Sequence, residues 1–148
     1  MNNILFICYG NICRSPMAEM IFKDLVRSNH KNYMFTCKSR ALSMEELGND
    51  MYPDAKKILE VNNVTIERHR ATQVRQDDLD EANYVIVMEQ RHKDSLINMF
   101  PSLNPDKVYL LLDDEDIEDP WYTNNFSKVY GLINKGCNLW FTKLIGSE

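Results

Sequence analysis

Apolar and polar positions along the chain form blocks of two kinds. Short, nearly continuous apolar runs alternate with longer stretches in which apolar residues recur every three or four positions. The first kind reads as buried strand, the second as amphipathic helix. Asn3–Cys8, with Ile4, Leu5, Phe6 and Ile7, predicts a strand, and Pro16–Arg27 predicts a helix with Met17, Met20, Ile21 and Leu25 on one face. Tyr33–Lys38 alternates as a second strand, and Pro53–Val61, carrying Ala55, Ile58 and Leu59, reads as a second helix. Asn83–Met88 predicts a third strand and Gln90–Phe100 a helix stopped near Pro101. Lys107–Leu112 is the fourth strand, and Phe126–Leu144 the last helix, with Phe126, Val129, Ile133, Cys137 and Trp140 on one face. Alternation of this kind predicts an α/β fold, a four-stranded parallel sheet with helices on both faces. Ligands of such sheets sit at the carboxyl ends of the strands. Cys8 closes the first strand at that edge, and the stretch from Leu112 to Asp119 leaves the last strand there. No repeat or low-complexity linker divides the chain, so residues 1–148 read as a single domain.

Composition narrows the function. With 148 residues, 44% hydrophobic and 26% charged, the chain is an ordinary globular length with enough apolar residues for a proper core. A net charge of −5 argues against a nucleic acid or an anionic membrane as general partner, though a few oriented groups still suffice for a local anion site. No apolar run reaches the length of a membrane helix, and the N-terminus lacks the basic flank and cleavage pattern of a signal peptide, so a cytoplasmic location is expected. Ser28–Asn32 and the carboxylates from Asp113 to Asp119 read as solvated stretches. The 4 cysteines are few for a secreted disulfide scaffold, and none falls in the paired short spacing of a zinc site. Cys37 and Cys137 read as small buried apolar residues.

The segment Cys8-Tyr9-Gly10-Asn11-Ile12-Cys13-Arg14-Ser15-Pro16 carries the chemistry. A cysteine and an arginine six positions apart are weak evidence alone, and a buried cysteine near an arginine on a solvated helix is the simpler alternative. Context weighs against that alternative. A strand precedes the pair, Gly10 lets backbone approach an anion closely, and Ser15-Pro16 read as an N-cap and first-turn proline. Backbone N–H groups of Tyr9, Gly10, Asn11, Ile12, Cys13, Arg14 and Ser15 would then curl around one point at a helix N-terminus, where a phosphate binds. The Arg14 fork can hold two phosphate oxygens, and a positive field favours the thiolate, the nucleophilic form of cysteine.

The run Leu5–Glu19 resembles nearly the whole signature of the low-molecular-weight protein tyrosine phosphatases. Asp119-Pro120-Trp121-Tyr122 is similar to that family's late Asp-Pro-aromatic-aromatic loop. Weaker matches lie at Ser39, Gly48 and His69-Arg70-Ala71, and the spacing fits over essentially the whole chain. The resemblance implies a Rossmann-like phosphatase fold, with Cys8 as nucleophile, Arg14 as phosphate clamp and Asp119 as general acid. It implies a supporting hydrogen-bond network of Asn11, Ser15, Ser39 and His69. It further implies a phosphotyrosine-containing protein or peptide as substrate, phosphate and other oxyanions as inhibitors, and neither cofactor nor metal. Under oxidation the family pairs the nucleophile with a neighbouring cysteine, here Cys13, which would make the enzyme redox-sensitive.

Composition alone cannot choose among the six aspartates and glutamates of Asp113–Asp119. Pro120 holds the backbone of Asp119 extended, Trp121 and Tyr122 can wall a pocket, and the resemblance selects Asp119. Three departures stand out. Arg40 lies where small residues are common, and Glu89 stands in place of aspartate. A gapless count puts Glu45 on the pocket rim, where its carboxylate disfavours acidic flanking residues. Ile12, Glu45, Trp121 and Tyr122 are therefore the expected substrate wall. A related phosphoarginine branch tends to carry threonine at the place of Ile12, so an apolar residue there favours an aromatic leaving group. Arsenate reductases of this fold need a further cysteine pair in mid-chain, and none lies between Cys37 and Cys137. A noncatalytic phosphate-binding module would need no acid at position 119.

Overall fold

The computed structural model describes residues 1–146. Four parallel strands, β1 (Asn2–Cys8), β2 (Phe35–Ala41), β3 (Tyr84–Val87) and β4 (Val108–Leu110), form one sheet in the order β2-β1-β3-β4. The described residues also form helices α1 (Arg14–Ser28), α2 (Pro53–Val61), α3 (Gln76–Glu81), α4 (Gln90–Met99), α5 (Pro120–Thr123) and α6 (Phe126–Gly146).

Strand alternation sorts the core into two layers. Ile4, Phe6 and Cys8 face the layer built with Met17, Phe22, Val129, Ile133 and Phe141 of α1 and α6. Leu5 and Ile7 face the opposite layer, with Val85, Val87, Leu79 of α3 and Leu96 of α4. Phe22 meets Phe6, Phe35 and Phe141 edge-on at 5.3–6.0 Å between centroids, a geometry aromatic rings prefer. Against the fourth strand, α6 comes so close that a methyl group on Gly136 would lie 2.5 Å from Leu111 Cγ. Trp140 Nε1 donates to the Leu111 carbonyl at 3.1 Å and fixes that approach.

The expected alternation of elements holds, with shifts that have local causes. The second strand runs Phe35–Ala41 rather than Tyr33–Lys38, because β1 is paired as far as Cys8 and its partner there is Ala41. Tyr33 sits exposed in a turn closed by Met34 N–H to the Lys31 carbonyl. The fourth strand is only Val108–Leu110; Lys107 belongs to a 3-10 turn begun by Asn104, whose side chain accepts from Asp106 N. Helix α1 starts at Arg14 with Cys13 as N-cap and no side-chain cap, so Ser15 is not the cap its sequence context suggests. The stretch from Asp113 to Asp119 is not uniformly solvated: Ile117 is fully buried and its N–H binds the Met88 carbonyl. Helices α3 and α5 have too few apolar residues for periodicity to reveal them. Among the described residues, no helix is long and apolar enough to cross a membrane.

Candidate active site

Between the carboxyl end of β1 and the start of α1, the chain turns through Asn11, fully buried and in the left-handed region at φ +60°. That conformation disfavours most side chains, and asparagine is among the few that adopt it. The Asn11 carbonyl accepts from His69 Nε2 at 2.7 Å, and Oδ1 accepts from Thr72 N at 3.1 Å. With Oδ1 so fixed, Nδ2 donates to Ser15 Oγ at 2.8 Å and Ser39 Oγ at 3.0 Å.

This arrangement sets the direction of every proton behind the loop. Ser39 gives its hydroxyl proton to Glu19 Oε1 at 2.6 Å, since a carboxylate only accepts. Ser15 Oγ receives a proton from Asn11, which leaves its own O–H for Cys8 Sγ at 3.0 Å. Asn11 N and Ser15 N also point at Cys8 Sγ, from 3.3 and 3.4 Å. Three donors thus converge on one sulfur. Both polar groups of Ser15 are spent there, and the residue does not line the cleft, so it supports the sulfur rather than the phosphate as first expected. Asn11, Ser15, Ser39 and His69 are joined in one hydrogen-bond network behind the loop. Glu19 was quoted only as part of the signature, yet it anchors the network and is itself held by Lys23 at 2.5 Å. A glutamate on the buried side of a helix was the available signal.

Arg14 is almost wholly buried. Its Nη1 donates to Glu89 Oε2 at 2.5 Å and to the Ile117 carbonyl at 2.8 Å, and its Nη2 lies 3.4 Å from Asp119 Oδ2. Burial works against charge on Glu89, but hydrogen bonds from Arg14 and Arg91 outweigh it and hold the carboxyl below its usual range. Glutamate in place of aspartate therefore still reaches the arginine. Behind the pair lies His92, whose Nε2 is 3.3 Å from the same Glu89 oxygen. Burial, helped by Arg14, pushes its pKa down to about 4, so the imidazole is neutral at neutral pH. Sequence inspection missed His92, which looks like any polar residue in a helix.

The cleft over Cys8 has a volume of about 140 Å³. It is lined by residues 8–14, Glu45, Glu46, Asp119, Trp121 and Tyr122. Asp119 is the N-cap of α5: Oδ1 accepts from Trp121 N at 3.0 Å, which leaves Oδ2 directed toward Arg14. Trp121, 52% exposed, meets Tyr52 edge-on at 5.0 Å, and Tyr52 stacks on Phe126 at 5.7 Å. Tyr122 is 78% exposed at the rim. Tyr9 OH donates to Glu45 Oε1 at 2.9 Å, and Ile12 is half-buried against the core and also lines the cleft. Ile12, Glu45, Trp121 and Tyr122 thus all line this one cleft. Cys13 lines it too, and burial pushes its thiol well up. Arg40 turns away from the site, to Asp78 Oδ2 at 3.3 Å and the Ser39 carbonyl at 2.8 Å, so this departure leaves the cradle untouched.

Residues 3–147 match the profile of the low molecular weight phosphotyrosine protein phosphatase family. The chain belongs to this family. It is 36% identical over 143 residues to the low molecular weight protein-tyrosine-phosphatase YfkJ of Bacillus subtilis, covering 93% of this chain and 92% of that one. The crystal structure of YfkJ superposes with a TM-score of 0.95, covering 100% of this chain and 97% of that one at 34% identity. Vibrio vulnificus Wzb in complex with benzylphosphonate superposes at 0.85, with 27% identity and coverage of 96% and 98%.

Proposed function

We propose that this phosphatase removes phosphate from tyrosine in proteins or peptides through a phosphocysteine on Cys8. The convergence of three hydrogen-bond donors on Cys8 Sγ, at the N-terminus of α1 and beneath Arg14 and Asp119, supports this reading most directly. A phosphomonoester dianion settles on the loop N–H groups and the Arg14 fork. Cys8 Sγ attacks phosphorus as the bond from phosphorus to the tyrosyl oxygen breaks. Asp119 gives its proton to that leaving oxygen. Water then attacks phosphorus and gives a proton to Asp119, while the sulfur–phosphorus bond breaks and the expelled thiolate accepts the Ser15 hydroxyl proton in a hydrogen bond. The loop N–H groups and Arg14 stabilise the equatorial charge in both steps.

The aromatic wall supports an aryl phosphate. A ring entering between Ile12 and Trp121 gains roughly 1–3 kcal/mol from burial and ring contact. A guanidinium leaving group would face Ile12 with unpartnered N–H groups, at a cost of about 1–3 kcal/mol. Wzb binds benzylphosphonate, a ring one carbon from phosphorus, which fits the same preference. Phosphate and vanadate are the expected oxyanion inhibitors. The test is kcat/KM on matched phosphotyrosine, phosphoserine and phosphoarginine peptides, alongside Cys8→Ser. Phosphotyrosine should lead by tenfold or more, with Cys8→Ser inactive but still binding vanadate. A preference for phosphoarginine would overturn the substrate, and a turning-over Cys8→Ser would overturn the mechanism.

A further inference from the structure

Among the described residues lining the cradle, Arg14 is the one cation that can clamp phosphate, so whatever fixes its guanidinium fixes the clamp. One oxygen of Glu89, Oε2, takes Arg14 Nη1 at 2.5 Å, and Oε1 takes Arg91 Nε at 2.9 Å. Arg91 also reaches Oε2, through Nη2 at 3.2 Å, and its side chain is 68% exposed. Glu89 is therefore pulled two ways, inward to the clamp and outward to a solvated arginine.

His92 is the third group at this carboxylate. It stands in the first turn of α4, where its backbone N–H donates to the Glu89 carbonyl at 3.0 Å. Its ring is 2% exposed, and neither ring nitrogen has an aligned hydrogen-bond partner among the described residues. Buried polar groups are nearly always partnered, so an orphan calls for an explanation. Glu89 Oε2 lies 3.3 Å from Nε2, off the line of a full hydrogen bond.

We propose that His92 is a positioning residue for the phosphate clamp: its Nε2–H faces Glu89 Oε2 and holds that carboxylate on Arg14 against the outward pull of Arg91. The inference rests on the phosphatase reading of the cradle. A neutral imidazole suits the task, because a cation at that place would compete with Arg14 for Glu89 and repel it. Burial and the Arg14 charge keep it neutral. Contacts of this kind are often oblique in a resting enzyme and tighten around the reacting complex.

His92→Phe removes the donor while keeping an aromatic volume, and His92→Gln keeps a donor. In His92→Phe, kcat/KM on p-nitrophenyl phosphate and vanadate affinity should each fall roughly tenfold, the usual effect of losing one hydrogen bond to a charged group. His92→Gln should recover most of the loss. In a Glu89→Gln background, His92→Phe should cost nothing further, since the histidine acts through Glu89. Nitrogen-15 shifts of the wild-type ring should give the Nε2–H tautomer, a readout that needs no variant to fold. Wild-type vanadate affinity in a folded His92→Phe, an equal loss with and without Glu89, or an Nδ1–H tautomer would each overturn the proposal. The wild-type rates decide the phosphatase reading separately.

Discussion

Asn11 uses every polar atom it has: N–H to Cys8, carbonyl to His69, Oδ1 to Thr72 and Nδ2 to two serines. Single residues of this kind govern the chemistry, and two predictions belong at their scale. Asp119→Asn keeps an N-cap for α5 but loses the acid. It should slow hydrolysis of alkyl and unactivated aryl phosphates by about 10²–10⁴ and affect activated aryl phosphates much less. Rates across a series of phenol leaving groups check this, and a uniform loss would remove Asp119 from the role. The second concerns oxidation. Burial holds Cys13 as a thiol, so peroxide should convert Cys8 first to a sulfenic acid, which Cys13 then condenses to a disulfide with loss of water. Activity should return with dithiothreitol in the wild type and return less completely in Cys13→Ser, where the unpaired sulfenic acid goes on to sulfinic acid, and peptide mass mapping should find the Cys8–Cys13 link in the wild type.

At the scale of elements, the glycine in mid-α6 gives the clearest prediction. Gly→Ala inside a helix ordinarily stabilises by about 0.5–1 kcal/mol. Here the added methyl would meet Leu111 at its buried branch point, an overpacking that costs about 1–3 kcal/mol. Gly136→Ala should therefore lower Tm by a few degrees, whereas Gly131→Ala, with open space around it, should raise it. Thermal melts of the two variants decide it. The same scale shows what was legible in the sequence. Strand, loop and α1 are contiguous, so Cys8, Asn11 and Arg14 could be read from one run of residues with its flanking periodicity. Helix α5 could not, since four residues begun by Asp119 carry no period. Glu89 and His92 were invisible as a pair with Arg14, because 75 residues of chain separate Arg14 from Glu89 and only the sheet order brings them together.

For the whole molecule, the buried imidazole ties stability to pH. His92 has an ordinary pKa of 6.5 when unfolded and about 4 when folded, so between these values the unfolded chain binds the extra proton. Stability is full above pH 6.5 and falls as pH drops through that window, by about 3 kcal/mol once both forms are protonated. The charges around the ring are Arg14, Glu89 and Arg91, and Glu89 opposes the shift. Glu89 and Asp78, both held below their usual range, add a separate loss below about pH 4.5. Urea melts from pH 7.5 to 4 should show the upper slope in the wild type and its absence in His92→Phe.

The order β2-β1-β3-β4 makes the strand that ends in Cys8 an inner one, hydrogen-bonded along both edges and covered on both faces. Such a strand cannot fray. Its amides open to solvent only when the whole sheet opens, so exchange of the Phe6 and Ile7 protons with deuterium should run at the rate set by global unfolding. The cradle inherits that stiffness. Mobility needed to admit a protein substrate then falls to the exposed side of the cleft, at Trp121, Tyr122 and the 43–49 turn, and the floor stays fixed while the rim adapts.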